Sequence, residues 1–449
     1  MAKIQLIKAP LDDGHPSIDE WYLPLELMQL AHAVKEAETE VEILDGTHLS
    51  LSEILGRLDV NSKFIGITFT SLSIKSLQYI TAAAKQLDLF VVIGGQAATG
   101  DCDELIKEEG IDVVVLRDGE EPFRALSELS EFSPEYLSTV PNLLFKNKNN
   151  YEKTHAFVSD LSYANNLPRN IGGLNPEDYI SLYDKETHTL KNINATRPAH
   201  LYSKKGCPRT CSFCARVDKT VRLREPLDVI NEINYLVEEY GIDYLVDVSD
   251  TWVHKEWLDS YKRQYAVKIP ERIPMTIFAD IRDITADICK DLKMVGVDNV
   301  LLGIESGSER ILKLNRKVYS RERIVTAVRN LSMAGIMVSA SFVIGLLGED
   351  DDSLCETGSL CEELYKLGNV RCYCNVTIPL PGSMIWREMI NLLGKDHRAC
   401  KSGFHYNLNL ARKEFINNFT QITGGLAKLE EVRDRILEFN DLRILEYAR

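Results

Sequence analysis

The sequence predicts an α/β chain: a doubly wound parallel sheet, then a longer run of six strand–helix units, then a small helical C-terminal region. Three observations carry this. Runs rich in Val, Ile and Leu alternate with amphipathic segments, the pattern of strands covered by helices on both faces. The spacing of those runs lengthens after about residue 198. Between the two regions lies chain of a different kind, rich in Asn, Gly and Pro.

In residues 1–131 the strand candidates are Lys3–Ala9, Val41–Asp45, Phe64–Thr70, Phe90–Gly95 and Val113–Leu116. Between them, "LELMQLAHAVKEA", "LSEILGRL", "IKSLQYITAAAKQL" and "DELIKEEG" are apolar at helical spacing. Ligands of such a sheet sit beyond the carboxyl ends of its strands. Those ends carry Pro10–His15, Thr70–Ser73 and Gly94–Gly95. No G-x-G-x-x-G follows the first strand, so the dinucleotide fingerprint is absent. Residues 132–197 read as a connector, with "KNKNNYEK" as a hairpin or loop and little helix.

In residues 198–385 the strand candidates are Ala199–Lys204, Asp243–Asp250, Met275–Asp280, Asn299–Ser306, Met337–Gly345 and Val370–Pro379. Helices fill the gaps; in "PLDVINEINYLVEEYG", Ile230, Ile233, Val237 and Tyr240 share one face. Six such units make an open sheet or a partial (β/α)6 barrel, with the chemistry at the carboxyl ends of the strands in either case. Residues 386–449, with "KLEEVRDRILEFNDLR", read as helical.

A chain of 449 residues exceeds one compact core and implies two or three domains. The net charge of −15 argues against a broad nucleic-acid footprint. No apolar run approaches the ~18 residues of a membrane span. The N-terminal "MAKIQLIKAP" is too short for a signal peptide. A cytoplasmic protein with reduced thiols is expected.

"GCPRTCSFCARV" places Cys207, Cys211 and Cys214 in a C-x3-C-x2-C pattern directly after the first strand of the second region. Structural zinc normally takes four Cys or His ligands, and His200 and His254 lie outside any finger-like spacing. Three inert buried thiols are a poor fit to a loop of Arg, Lys, Ser and Pro. An iron–sulfur cubane held by three cysteines would keep one iron open to bind and activate a ligand.

This pattern, with Phe213 before the last cysteine, resembles the radical S-adenosylmethionine (SAM) superfamily. The resemblance spans about residues 198–385 and implies a [4Fe-4S] cluster, SAM bound at its open iron, and a 5′-deoxyadenosyl radical that abstracts hydrogen from a small-molecule substrate. It also implies an external electron donor such as flavodoxin or ferredoxin. "VSDTW" is similar to the family's acidic motif and makes Asp250 the candidate for the SAM amino group, the alternative being a helix cap. "GIESGS" makes Glu305 and Ser306 candidates for the SAM ribose and carboxylate, with helix capping the alternative for Ser306 or Ser308. "FVIGLLGED" resembles the fifth-strand motif along the adenine, assigning Ile344. Arg282 and Arg316 are candidates to anchor a carboxylate, and "IPLPGS" matches the turn closing the sixth strand.

The first region, a flavodoxin-like sheet ahead of such a barrel, resembles the cobalamin-binding subgroup. Thr70, Ser71 and Leu72, with Gly94 and Gly95, are similar to the pieces that hold the cobalamin nucleotide tail. The D-x-H-x-x-G motif is missing, and His15 reads as a loop residue. The resemblance leaves open both bound cobalamin and a scaffold without it. Cys372 and Cys374 share one face of the sixth strand and Tyr373 the other. Facing the barrel, a thiol could donate hydrogen; otherwise both are small buried hydrophobes. No further C-x2-C group suggests a second cluster. "CKSGFHYNLN" could cover the barrel mouth, with His405 an ordinary loop residue. The leading reading is cobalamin-dependent methyl transfer to carbon. The alternatives are cobalamin-independent dehydration, epimerisation or rearrangement of a sugar-like metabolite, and a non-catalytic sensor.

Overall fold

The computed structural model describes residues 2–12, 22–34, 39–183, 195–216, 218–269 and 271–447, the last nine without side-chain detail. His15 lies outside them. The chain forms two compact units. The first comprises Met1–Ala199, Ala215–Asp218 and Lys395–Asn407; the second comprises His200–Cys214, Lys219–Gly394 and Leu408–Arg449.

The first unit begins with Ala2–Lys8 (β1), Leu25–Ala33 (α1), Thr39–Asp45 (β2), Leu51–Gly56 (α2) and Ser62–Thr68 (β3). It continues through Ile74–Gln86 (α3), Val91–Gly94 (β4), Gln96–Gly100 (α4), Cys102–Leu105 (α5), Val113–Val115 (β5) and Glu120–Glu128 (α6). Pro134–Leu137 (α7), Leu143–Asn147 (β6), Asn150–Lys153 (β7) and Pro176–Ile180 (α8) follow. The sheet order is β2-β1-β3-β4-β5-β6-β7. Its first five strands are parallel, the doubly wound order whose switch point lies between β1 and β3. β6 and β7 form an antiparallel hairpin that extends the same sheet, so the segment read as a connector supplies two strands. Ile4, Leu6, Phe64, Val113 and Phe145 are fully buried in its core, each stabilising the fold by about 1.5–3 kcal/mol.

The second unit starts with Pro198–Leu201 (β8), Lys204–Lys205 (β9), Arg222–Leu223 (β10), Pro226–Tyr240 (α9), Tyr244–Asp247 (β11) and Lys255–Lys268 (α10). Met275–Ala279 (β12), Ala286–Met294 (α11), Val297–Glu305 (β13), Glu309–Leu314 (α12), Arg321–Met333 (α13) and Met337–Ile344 (β14) come next. Asp351–Lys366 (α14), Val370–Val376 (β15), Met384–Leu393 (α15), Leu408–Phe419 (α16) and Gly425–Tyr447 (α17) complete it. Local signals set the boundaries: Pro226 opens α9, Gly241 closes it at φ +61, and a reciprocal Asp350–Ser353 box caps α14.

The six-stranded sheet runs β8-β11-β12-β13-β14-β15, in chain order, as a partial (β/α)6 barrel. Right-handed crossovers in that order place every connecting helix on one face. On β15 that outer face is marked by Cys372, which hydrogen-bonds Cys361 of α14. Arg371, Tyr373 and Asn375 therefore belong to the inner face. Parallel register puts Ser339, Ser341 and Val343 of β14 beside them.

Candidate functional site

Between β9 and β10 the chain opens into a loop bearing Cys207, Cys211 and Cys214, all free and half-buried. Gly206 starts the loop at φ +89, and a Cβ there would lie 2.0 Å from the Thr220 carbonyl oxygen. Only glycine lets the two arms of the loop close. The Gly206 N–H donates to Asp250 Oδ2 at 2.7 Å. The buried Ser212 donates through Oγ to Asn315 Oδ1 at 2.6 Å, and its carbonyl accepts from the Ile385 N–H at 3.1 Å. The segment after β11, the end of α12 and the start of α15 thus pin one loop. Among the described residues no three His, Cys, Asp or Glu side chains group as a single-ion site requires. Three thiols from one open loop suit a cubane, where each thiolate takes its own iron.

Charge is concentrated beside this loop. Glu305 ends β13 at φ +70, buried, and its Oε1 accepts from Lys317 Nζ at 2.6 Å. Lys317 also donates to the Gly303 carbonyl at 2.8 Å, and Tyr319 Oη donates to the same oxygen at 3.0 Å. Burial pulls the Lys317 pKa down, but Glu305, Tyr319 and Cys211 outweigh it and hold the ammonium well above the usual lysine value. The Cys211 thiol is raised by burial, with Lys317 opposing and Glu305 adding. The pair is therefore felt at the central cysteine. Asp280 accepts from Arg282 Nε at 2.7 Å and meets Arg209 Nε, inside the cysteine loop, at 3.4 Å. Burial raises the Asp280 carboxyl, and the Arg282 bonds more than reverse it, leaving it below the usual range.

A buried knot supports the first strand end. Asp247 Oδ2 accepts from Trp252 Nε1 at 2.7 Å, and Ser249 Oγ accepts from the Lys204 N–H at 2.9 Å. Lys204 Nζ lies 3.3 Å from the Trp257 ring centroid and 4.2 Å from that of Trp252. Burial brings its pKa down to about 7, with Asp247 opposing.

The structure gathers Asp250, Glu305 and the cysteines but treats other expected residues differently. Asp250 does not cap α10, whose N-cap is His254. Ser306 is fully buried, its hydroxyl 3.3 Å from Thr357 Oγ1 and accepting from the Ser308 N–H at 3.2 Å. That hydroxyl therefore holds its own turn, and Ser308 makes no capping bond to α12. Arg316 is exposed at φ +62, and its neighbour Lys317 is the buried cation. The Arg282 fork is taken by Asp280. Ile344 is buried at the end of β14 and Phe213 is half-buried in the loop. Cys372 and Cys374 face the helices, so they are packing thiols and Tyr373 is the inward residue. His405 is exposed, and the segment around it packs within the first unit, where Gly403 N–H meets Asp101 Oδ2 at 2.6 Å.

Sequence reading missed Lys317, Tyr319, Asp280, Arg209 and Lys204. Only "LNRKVYS", three residues of which are charged or aromatic, hinted at the first two.

In the first unit the loop after β3 is knit by neutral groups. Thr70 N–H donates to Ser73 Oγ at 2.9 Å, and Leu72 N–H donates to Thr70 Oγ1 at 3.2 Å. Asp12, at the switch point, accepts from the Lys75 and Ser76 N–H groups at 2.9 Å and so caps α3 from a distance. Ser71, Gly94 and Gly95 stay half-exposed, with Gly95 at φ +100. These strand-end segments offer backbone and hydroxyl groups for hydrogen bonding.

Residues 201–361 match the model of the radical SAM superfamily, and residues 18–127 match that of the B12 binding domain. The chain thus carries a B12-binding domain followed by a radical SAM domain. Over 390 residues it is 26% identical to an uncharacterized methyltransferase of Pyrococcus horikoshii, covering 82% of this chain and 79% of that one. The radical SAM methyltransferase TsrM of Kitasatospora setae superposes with a TM-score of 0.66 at 17% identity, over 87% of this chain and 77% of that one. The cobalamin-dependent SAM radical enzyme OxsB superposes with a TM-score of 0.69 at 15% identity. That match covers 90% of this chain but 63% of OxsB. At these identities the structural likeness is one of fold.

Proposed function

We propose that this protein is a cobalamin-dependent radical SAM methyltransferase acting on a carbon of a small molecule. The observation that carries the reading is the joining of two features in one chain: the pinned three-thiol loop and a doubly wound sheet whose β4 ends in the half-exposed Gly94–Gly95 pair. The names of the relatives support methyl transfer over the other radical reactions.

In this reading Cys207, Cys211 and Cys214 hold the [4Fe-4S] cluster, and Ser71, Gly94 and Gly95 line the cobalamin tail. When bound, the cluster supplies the electron that cleaves SAM and cobalamin carries the methyl group. Lys317 and Glu305 fix charge beside the cluster loop, and Asp250 fixes the loop entrance through Gly206. The Lys317 ammonium stays charged at neutral pH and suits the SAM carboxylate better than exposed Arg316 does. An external flavodoxin or ferredoxin as electron donor and a cytoplasmic location belong to the same reading; all ten cysteines are free thiols, as a reducing compartment requires. Among the described residues no helix is long and apolar enough to cross a membrane.

The test is anaerobic reconstitution with iron, sulfide and hydroxocobalamin, followed by desalting and an absorption spectrum. Cobalamin retained at about one per chain, with S-adenosylhomocysteine and 5′-deoxyadenosine formed together, is expected. A cluster spectrum without retained cobalamin would transfer the reading to hydrogen-abstraction chemistry alone.

A further inference from the structure

The inner face of the second sheet carries a row of polar side chains where barrel interiors normally place Val, Ile and Leu. Tyr244 Oη and Thr276 Oγ1 are 2.7 Å apart. Asn299 Nδ2 donates to Thr276 Oγ1 at 3.1 Å, and Ser339 Oγ donates to Asn299 Oδ1 at 3.0 Å. The row crosses β11, β12, β13 and β14, and all four residues are buried. Parallel register carries it onto β15, where Ser339 pairs with Arg371.

Among the described residues Arg371 is half-buried without a partner, unlike exposed unpaired arginines of this unit such as Arg263, Arg316, Arg329 and Arg387, and unlike its paired ones. Arg282 is clasped by Asp280, Arg272 by Asp298, Arg310 by Asp350 and Arg321 by Glu363. Arg371 is half-buried, yet its guanidinium has no hydrogen bond or ion pair among the described residues. Burying charge without a partner is costly, and a buried hydrogen-bonded row is seldom more stable than an apolar layer. Tyr373 and Asn375 continue the same face toward the carboxyl end, where the cysteine loop lies, and Asn375 is exposed.

We propose that Arg371 is the far anchor of the substrate site and that the substrate carries an oxyanion, carboxylate or phosphoryl. This rests on the radical SAM reading of the site above. Two guanidinium N–H groups would take two oxygens of the anion in a forked pair. Ser339 has lone pairs and Asn375 a free amide to orient the polar groups next to it. The reacting carbon then lies between Arg371 and the strand-end cluster loop. Val376 lies five steps along β15 from Arg371, about 16 Å of strand. The anion is therefore remote from the reacting carbon and serves to orient it.

The anaerobically reconstituted protein is titrated by calorimetry at fixed ionic strength with methylphosphonate, inorganic phosphate and acetate. Wild type is expected to bind at least one probe saturably. Arg371→Gln should weaken it about tenfold or more, whereas Arg329→Gln, an exposed arginine on α13, should not. Preference for the phosphorus probes names a phosphoryl substrate, and preference for acetate a carboxylate. Phenylglyoxal labelling of wild type, mapped by peptide mass, needs no variant: the bound probe should protect Arg371 and leave Arg329 reactive. Equal binding by wild type and Arg371→Gln, no binding of any probe, or an unprotected Arg371 overturns the proposal. Formation of 5′-deoxyadenosine by the same wild-type preparations is read in parallel. Its absence would sink the parent reading, while lost anion binding alone sinks only this one.

Discussion

The two parallel sheets furnish their strand ends in opposite ways. In the first unit, hydroxyls and backbone groups satisfy one another around Thr70 and Ser73, and the Asp12 carboxylate at the switch point is absorbed by α3. In the second, charges are locked in pairs against the cysteine loop, the buried Lys317 with Glu305 and the half-buried Arg282 with Asp280. Hydroxyl and backbone groups such as these suit a large ligand held by shape and many weak bonds. Fixed charges suit a site where charge moves during reaction, because they need no reorganisation when it does. One fold class thus supports a holding site and a reacting site through the residues beyond its strands alone.

The largest break in this contrast comes from the loop itself. Cys211→Ala should abolish 5′-deoxyadenosine formation, measured by chromatography after anaerobic reduction. Cys361→Ala, on the outer face behind β15, should keep that activity and cost only about 1 kcal/mol in urea unfolding. A Cys211→Ala protein that still cleaves SAM would remove the reacting half of the comparison.

Next in size is the buried pair. Lys317→Ala strands the Glu305 carboxylate in a site where both partners are about nine-tenths buried. Breaking such a pair should destabilise by about 3–5 kcal/mol. The double variant Lys317→Met with Glu305→Gln should recover much of it, a coupling that urea denaturation of the four proteins would measure. Loss on the scale of a surface ion pair, below about 1 kcal/mol, would make the pair peripheral.

The smallest effects compare one buried carboxyl from each unit. Burial pushes Glu349 up to about 8, against the N–H groups of Gly345 and Leu346. Burial likewise pushes Asp101 up to about 6, against the Gly403 N–H. Both protons are held more tightly in the folded chain than in the unfolded one. Each group therefore adds stability that is complete below its unfolded value, 4.5 for Glu349 and 3.8 for Asp101, and lost as pH rises through the folded value. Glu349→Gln should flatten the stability profile up to about pH 8, and Asp101→Asn only up to about pH 6. Each change is about 1–4 kcal/mol across its window, read from melting midpoints at stepped pH. Unchanged profiles in both variants would mean that neither carboxyl is shifted.

The strands were legible because Val and Ile runs survive any local context, and both sheets fall within a few residues of the runs. The cysteine loop was legible because its spacing is rare. Lys317 was not, since a lysine after "LNR" reads as solvated until the left-handed turn at Arg316, just past α12, brings the chain back inside. Nor was the orientation of β15. A period of two shows that Cys372 and Cys374 share a face but not which face meets α14. Arg316 and Lys317 illustrate the same limit: adjacent cations, one outside and one inside, separated only by tertiary structure.

The segment Lys395–Asn407 completes the first unit from a distant part of the chain. Gly403 reaches Asp101 across 302 positions, and Phe404 N–H reaches Glu108 Oε1 at 3.0 Å. Synthesis at about 5–20 residues per second makes this the last piece to arrive, tens of seconds after the sheet it joins. During that interval the B12-type sheet exists without its final strap, and the order of assembly is written into the order of the gene.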